Sequence, residues 1–181
     1  DEETLLNNAS RPVGRILGNP DVSDETLMRY AHHPDHGIRQ GAAGSINKHG
    51  RFHLVAKLLR SKDTRVRHVG AMTIYGTFKR SPMDTENVTP TMVELLMNII
   101  NDPKEALWTK ENALRAMGQA KTELIVPHGD TLIPWLSHDE WWLAAAVMRP
   151  LSKIVADKRF AEKIFKRIEP IIKINTRVSL N

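Results

Sequence analysis

Cysteine is absent from this 181-residue sequence. That excludes disulfide staples, thiolate metal sites and a cysteine nucleophile, and it fits a reducing or an oxidising compartment equally. No apolar run approaches the ~18 residues a membrane-spanning helix requires, and the opening Asp1-Glu2-Glu3-Thr4 has no signal-like core. A membrane partner is therefore not expected. The chain also lacks a Gly-rich phosphate loop, a Gly-x-Ser-x-Gly elbow and a His-Glu-x-x-His helix, so no catalytic residue and no cofactor is assigned. Aromatic residues make up only 6% of the chain, too few to interleave a basic surface as single-strand binders do. An initiator methionine is missing too, and a processed chain or a piece of a longer protein is the expectation.

The charge that is present is unevenly distributed. Residues 1–35 hold 3 Lys/Arg against 7 Asp/Glu, whereas residues 36–80 hold 10 against 1. Residues 81–148 are acidic again, at 4 against 10, and residues 149–181 are basic, at 9 against 3. Such blocks bear on partners rather than on fold.

The most informative stretch runs from Asp63 to Ile74. Asp63 sits where a helix N-cap would accept from the free N–H groups of the first turn. Val66, Gly70 and Ile74 recur at i, i+4 and i+8, one face of a helix, and the small residues at 70 and 71 permit close approach of a neighbour. The same wording occurs 28 residues upstream, where Asp35 is followed by Ile38-Arg39, then Ala42-Ala43, then Ile46. This pattern resembles the second helix of the HEAT-repeat family, which carries Asp-x-x-Val-Arg-x-x-Ala. The resemblance covers about residues 23–174, is specific in the first two units and looser later. It implies an all-α fold, a right-handed α-α superhelix of about four helix pairs plus a terminal helix. It also implies that each pair is stabilised by stacking on its neighbours.

Taken in order, residues 1–22 are polar and punctuated by Pro12, Gly14, Gly18 and Pro20, with Arg15-Ile16-Leu17 as the end of a capping element. Repeats are expected at about 23–50, 51–80, 89–121 and 127–157, within one domain spanning 1–181. Ser23 caps the first helix, Pro34 ends it and Gly50 closes its partner. The helix opened by Asp63 is expected to reach Lys79 before Ser81-Pro82. Thr89-Pro90 starts the third pair and Asp102-Pro103 ends its first helix, whose partner covers about Glu105–Ala120. Thr131–Leu136 and Asp139–Ala156 form the fourth pair, with Pro150 a kink or an end. A terminal amphipathic helix covers 158–174, Pro170 interrupts its apolar stripe, and the tail from Asn175 is frayed.

Several residues draw attention as sites. In HEAT arrays the residues matching Asp35, Arg39, Asp63 and Arg67 form a structural ladder from one repeat's turn to the next repeat's helix, and that role is expected here. His32, His33 and His36 are of metal-ligating type. Pro34 lies between them at a helix–helix turn, however, and no His precedes Glu, the dipeptide that iron-binding HEAT hydroxylases repeat, so no metal is assigned. Lys57, Arg60, Lys62, Arg65, His68, Lys79 and Arg80 are a candidate patch for a polyanion or an acidic partner, with a solvated face that binds nothing as the simpler role. Trp108 and Trp142 are candidate groove aromatics, with inter-repeat packing as the simpler role. HEAT-like alkylpurine DNA glycosylases use Trp side chains and one catalytic Asp on a basic concave surface. Here Asn112 follows Trp108 by four residues and Glu111 lies a quarter-turn away, so the matching carboxylate is missing. The leading reading is a non-catalytic scaffold or protein-interaction module that binds another protein or the rest of its parent chain. Nucleic-acid binding of weak sequence preference is the alternative, and convergence of the basic side chains with Trp108 on one face would favour it.

Overall fold

Ser23 opens the first described helix as its sequence anticipates: extended backbone, with the hydroxyl accepting from the N–H of Thr26 at 3.2 Å. The computed structural model describes residue 17, residues 19–76 and residues 82–178, the last eight for backbone alone. Expectations for residues 1–16 and 77–81, Lys79 and Arg80 among them, lie outside the described residues. Leu17 is helical and fully buried, and its carbonyl accepts from the hydroxyl of Ser45.

Four helix pairs follow. The first is α1 (Asp24–Ala31) and α2 (His36–Lys48), and the second is α3 (His53–Leu59) and α4 (Thr64–Tyr75). The third is α5 (Pro90–Asn101) and α6 (Leu107–Met117). In the fourth, two short turns, α7 (Thr122–Ile125) and α8 (Gly129–Leu132), precede α9 (Trp141–Ile154). The terminal helix is α10 (Lys158–Val178). Among the described residues there is no strand, and the fold is an all-α solenoid. The second helices α2, α4, α6 and α9 pack side by side as one continuous row, and the first helices lie behind them.

Caps delimit these helices where the sequence carries cap chemistry. Asp35 accepts from Ile38 N at 2.9 Å and Asp63 from Arg65 N at 2.9 Å. Thr89 accepts from Met92 N at 3.3 Å ahead of Pro90 at the first helical position, where a missing N–H costs nothing. Gly50 leaves α2 at φ 64.

The departures have physical reasons. Helix α4 stops at Tyr75, short of the expected Lys79, because Gly76 takes φ 94 and its N–H closes on Met72 O at 2.9 Å. An L side chain is strongly disfavoured there. The fourth first helix is broken into turns: Pro127 and Pro134 each sit at the start of a 3-10 segment, where they tighten the backbone and withhold a donor. Pro150, in contrast, lies inside α9 with its ring buried. The backbone of α10 continues through Pro170 to Val178, past the expected end at Ile174.

One buried cluster runs the length of the array, from Leu17 and Leu27 through Ile46, Leu58, Ile74, Leu96, Leu114 and Leu132 to Ile154, Phe160 and Ile164. Ala43, Ala71 and Ala113 are each fully buried. Each follows its Asp35, Asp63 or Glu105 by eight residues, so these small side chains recur where neighbouring units meet. Gly70 serves the same end, since a Cβ on it would stand 3.0 Å from Leu59.

Candidate functional site

The turns between first and second helices line one edge of the array, and the four ladder residues gather there. Arg39 is buried, and its Nη1 donates to the carbonyls of His33 at 2.7 Å and Pro34 at 2.6 Å. Its Nε is buried without a partner. Burial, with the nearby charge of Arg65, pulls its pKa below the usual guanidinium value. Asp63, on the next turn, is engaged elsewhere: its carboxylate takes a fork from Arg65, with Nη2 to Oδ2 at 2.9 Å.

Arg67 makes the inter-repeat link. Its Nη1 donates to Ser61 O at 2.7 Å, and its Nε donates to Glu105 of the third pair at 2.5 Å. The Glu105 side chain is 1% exposed and also accepts from Thr64 Oγ1 and from the N–H of Ala106. Burial raises the Glu105 pKa, but these donors outweigh it, so the carboxyl lies below its ordinary value. Glu105 escaped the sequence reading. Its signal was its place eight residues before Ala113, matching the interval from Asp63 to Ala71.

The three histidines do not converge. His33 Nδ1 accepts from the N–H of Asp35 at 3.0 Å, while His36 Nε2 lies 3.0 Å from Gln40 Nε2. No group of three His, Asp or Glu side chains suitable for a metal ion occurs among the described residues.

A different row forms across the second helices. The ring of His36 stands 5.8 Å from that of His68, and His68 meets the Trp108 ring at 4.6 Å, edge to face. Asn112 Nδ2 lies 3.3 Å from His68 Nδ1 and donates to Trp108 O at 2.9 Å. His68 is only 7% exposed, and burial first, then the charges of His36 and Arg39, push its pKa down to about 4. It is neutral near pH 7 and brings no positive charge, which corrects its inclusion in the basic patch. Asn112 is spent on orienting its neighbours, and Glu111 is held by Arg115 at 2.8 Å.

Trp108 packs its ring on His68 of the preceding repeat but is not buried in the gap between them. It is 40% exposed, while Thr109 beside it is fully buried against Thr64. The cause is a shift of one residue in the helix start. Asp63 caps α4 directly, so Val66 is the third helical residue and faces inward; Ala106 caps α6, so Thr109 takes that place. One residue is about 100° of rotation. Trp142 is half-buried and donates its indole N–H to Glu140 at 2.8 Å. Trp141 is 77% exposed, and with Ala145 and Met148 it forms an open apolar stripe along α9.

Of the basic patch, Lys57, Arg60, Lys62 and Arg65 are exposed. The first three lie on α3 and the turn behind the second-helix row, and Arg65 at the start of α4 is tied to Asp63. Lys57, Arg60 and Lys62 therefore lie behind the row that carries Trp108, whereas Arg65 shares that row, second in α4 as Trp108 is second in α6.

No protein-family model and no curated protein sequence matches this chain. Solved structures do resemble it. An engineered protein from a structural genomics consortium superposes with a TM-score of 0.54 at 17% identity, covering 81% of this chain and 70% of its own. A second engineered protein reaches 0.57 at 17% identity over 92% of this chain and 48% of its own. A designed armadillo repeat protein reaches 0.56 at 13% identity, over 92% and 83% respectively. These likenesses establish the fold, a helical-repeat solenoid.

Proposed function

We propose that the chain is a non-catalytic, HEAT-like scaffold of four helix pairs and a terminal helix that binds another protein through its second-helix row. One observation carries this reading. The exposed sides of α6 and α9 present Leu107, Trp108, Trp141 and Met148, each at least 40% exposed. Exposed Trp and Met are enriched where proteins dock, and the charges on α6 beside them, Glu111 and Arg115, are already paired. Arg115 also lies over Tyr75, 5.4 Å from the ring centroid, and so is held on the array. No helix among the described residues is long and apolar enough to cross a membrane. The position of Lys57, Arg60 and Lys62 behind the row that carries Trp108 supports a protein partner over nucleic acid.

The test is selection of displayed random peptides on the folded chain. Enriched peptides are expected to share an apolar anchor and to lose at least about tenfold in affinity to a Trp108→Ala/Trp141→Ala variant, as for hot-spot aromatics. Peptides that bind both proteins equally, or no enriched family, would reject this surface.

A further inference from the structure

We infer that a cleft between the fourth repeat and α10 binds a small amphiphilic acid, an apolar body with a single carboxylate or sulfonate head. The cleft is open to solvent, has a volume of about 710 Å³ and is lined by Asp130, Ile133, Pro134, Ser137 and, from α10, Lys163, Lys166, Arg167 and Pro170. That volume lies within the range of about 300–1,000 Å³ typical of small-molecule sites.

The helix repeat builds this surface. Phe160, Ile164 and Ile168 recur at i, i+4 and i+8 and pack on the core. Gly129 lets α10 come close, since a Cβ there would stand 2.5 Å from the Phe160 ring. With that face docked, Lys163, Lys166, Arg167 and Pro170, at i, i+3, i+4 and i+7, share the side lining the cleft.

Charge then selects the ligand. Lys163 pairs with Asp130 at 2.6 Å, which neutralises the one lining carboxylate. Lys166 makes no hydrogen bond or ion pair among the described residues. Arg167 Nη1 donates only to the neutral Ser137 hydroxyl, at 3.1 Å, leaving further N–H groups for an oxyanion. Two adjacent uncompensated cations thus border an apolar wall of Ile133, Pro134 and Pro170. A bare inorganic anion would leave that wall unused, and an uncharged hydrophobe would leave the cations unpaired.

The experiment is amide chemical-shift mapping of the full chain titrated with sodium decanoate, with inorganic phosphate as the second probe. Decanoate is expected to shift Ile133, Ser137, Lys163, Lys166 and Arg167 in a saturable way, and phosphate to shift them far less. A Lys166→Gln/Arg167→Gln variant, folded by circular dichroism, should bind decanoate at least about tenfold more weakly. Pro134→Glu, which keeps both cations but sets a carboxylate at the mouth, should weaken it as well. Unchanged binding in either folded variant, equal response to phosphate, or shifts confined to other helices would overturn the assignment. Trp108 and Trp141 take no part, so Trp108→Ala/Trp141→Ala should bind decanoate normally, and the two proposals stand or fall separately.

Discussion

Glu105 and His68 show how single side chains join successive repeats. Replacing Glu105 by Ala removes the partner of Arg67, which stays largely buried, and destabilisation of roughly 2–4 kcal/mol is expected, since breaking a buried pair strands a charge. Urea unfolding at neutral pH measures it. Because the folded Glu105 pKa is depressed, its contribution is fully present above the unfolded carboxylate pKa of about 4.3 and is lost as pH falls through the folded value. His68 acts in a higher window. The unfolded chain takes a proton near the ordinary imidazole value of about 6.5, but the folded chain takes it only near 4. Between those values the unfolded state binds more protons, so stability declines as pH falls. At about 1.4 kcal/mol per unit the loss approaches roughly 3 kcal/mol by pH 4. The His36 pKa is also lowered, by burial and then Arg39, and adds in the same direction. His68→Asn should flatten the stability profile between pH 6.5 and 4, and an unchanged slope there would show that His68 is not the group responsible.

Small residues set the helix spacing. Ala71 is fully buried on α4, beside Gly70 with its tight approach to Leu59. Ala71→Leu is expected to cost about 1–3 kcal/mol by overpacking; a melting temperature unchanged within error would mean that this face is not the seam between units. Gly129→Ala tests the seat of α10. The new methyl would strike the Phe160 ring, a rigid part of the core. Faster amide exchange is expected across residues 158–168, while α2 and α4 keep their protection. Uniform change over the whole chain would instead mean that the array unfolds as one unit.

At the scale of the described array, three exposed cations stand apart from the exposed aromatic Trp108. Lys57, Arg60 and Lys62 lie behind the second-helix row on which Trp108 is exposed. Duplex DNA titrated at about 50 mM salt should bind weakly, with affinity falling steeply as salt rises. A Lys57→Glu/Arg60→Glu/Lys62→Glu variant should reduce that binding, whereas Trp108→Ala should leave it unchanged. Equal loss in both would place aromatic and cations in one site and restore the nucleic-acid reading. A solenoid permits this separation because each unit contacts mainly its neighbours, so its two helix rows can present different surfaces.

Much of the architecture was legible in residue order alone. Caps such as Ser23, Asp35, Asp63 and Thr89, the 3.6-residue apolar period and the paired Asp-Val/Ile-Arg wording are local, and local geometry follows from them directly. The ends of α4 and the broken fourth unit were less legible, because Gly76 and Pro134 act through dihedral angles whose consequence depends on the neighbouring turn. Sites were less legible still. That Arg67 reaches Glu105 rather than Asp63, that His68 is buried and neutral, and that Trp108 turns outward all depend on contacts across roughly 40 residues of sequence, or on a single residue of helix rotation. The sequence by itself determined which segments are helical and which faces are apolar, because both arise from short-range periodicity. The tertiary structure decided which polar groups meet and which aromatics remain in water, because burial and pairing depend on which helices stack together.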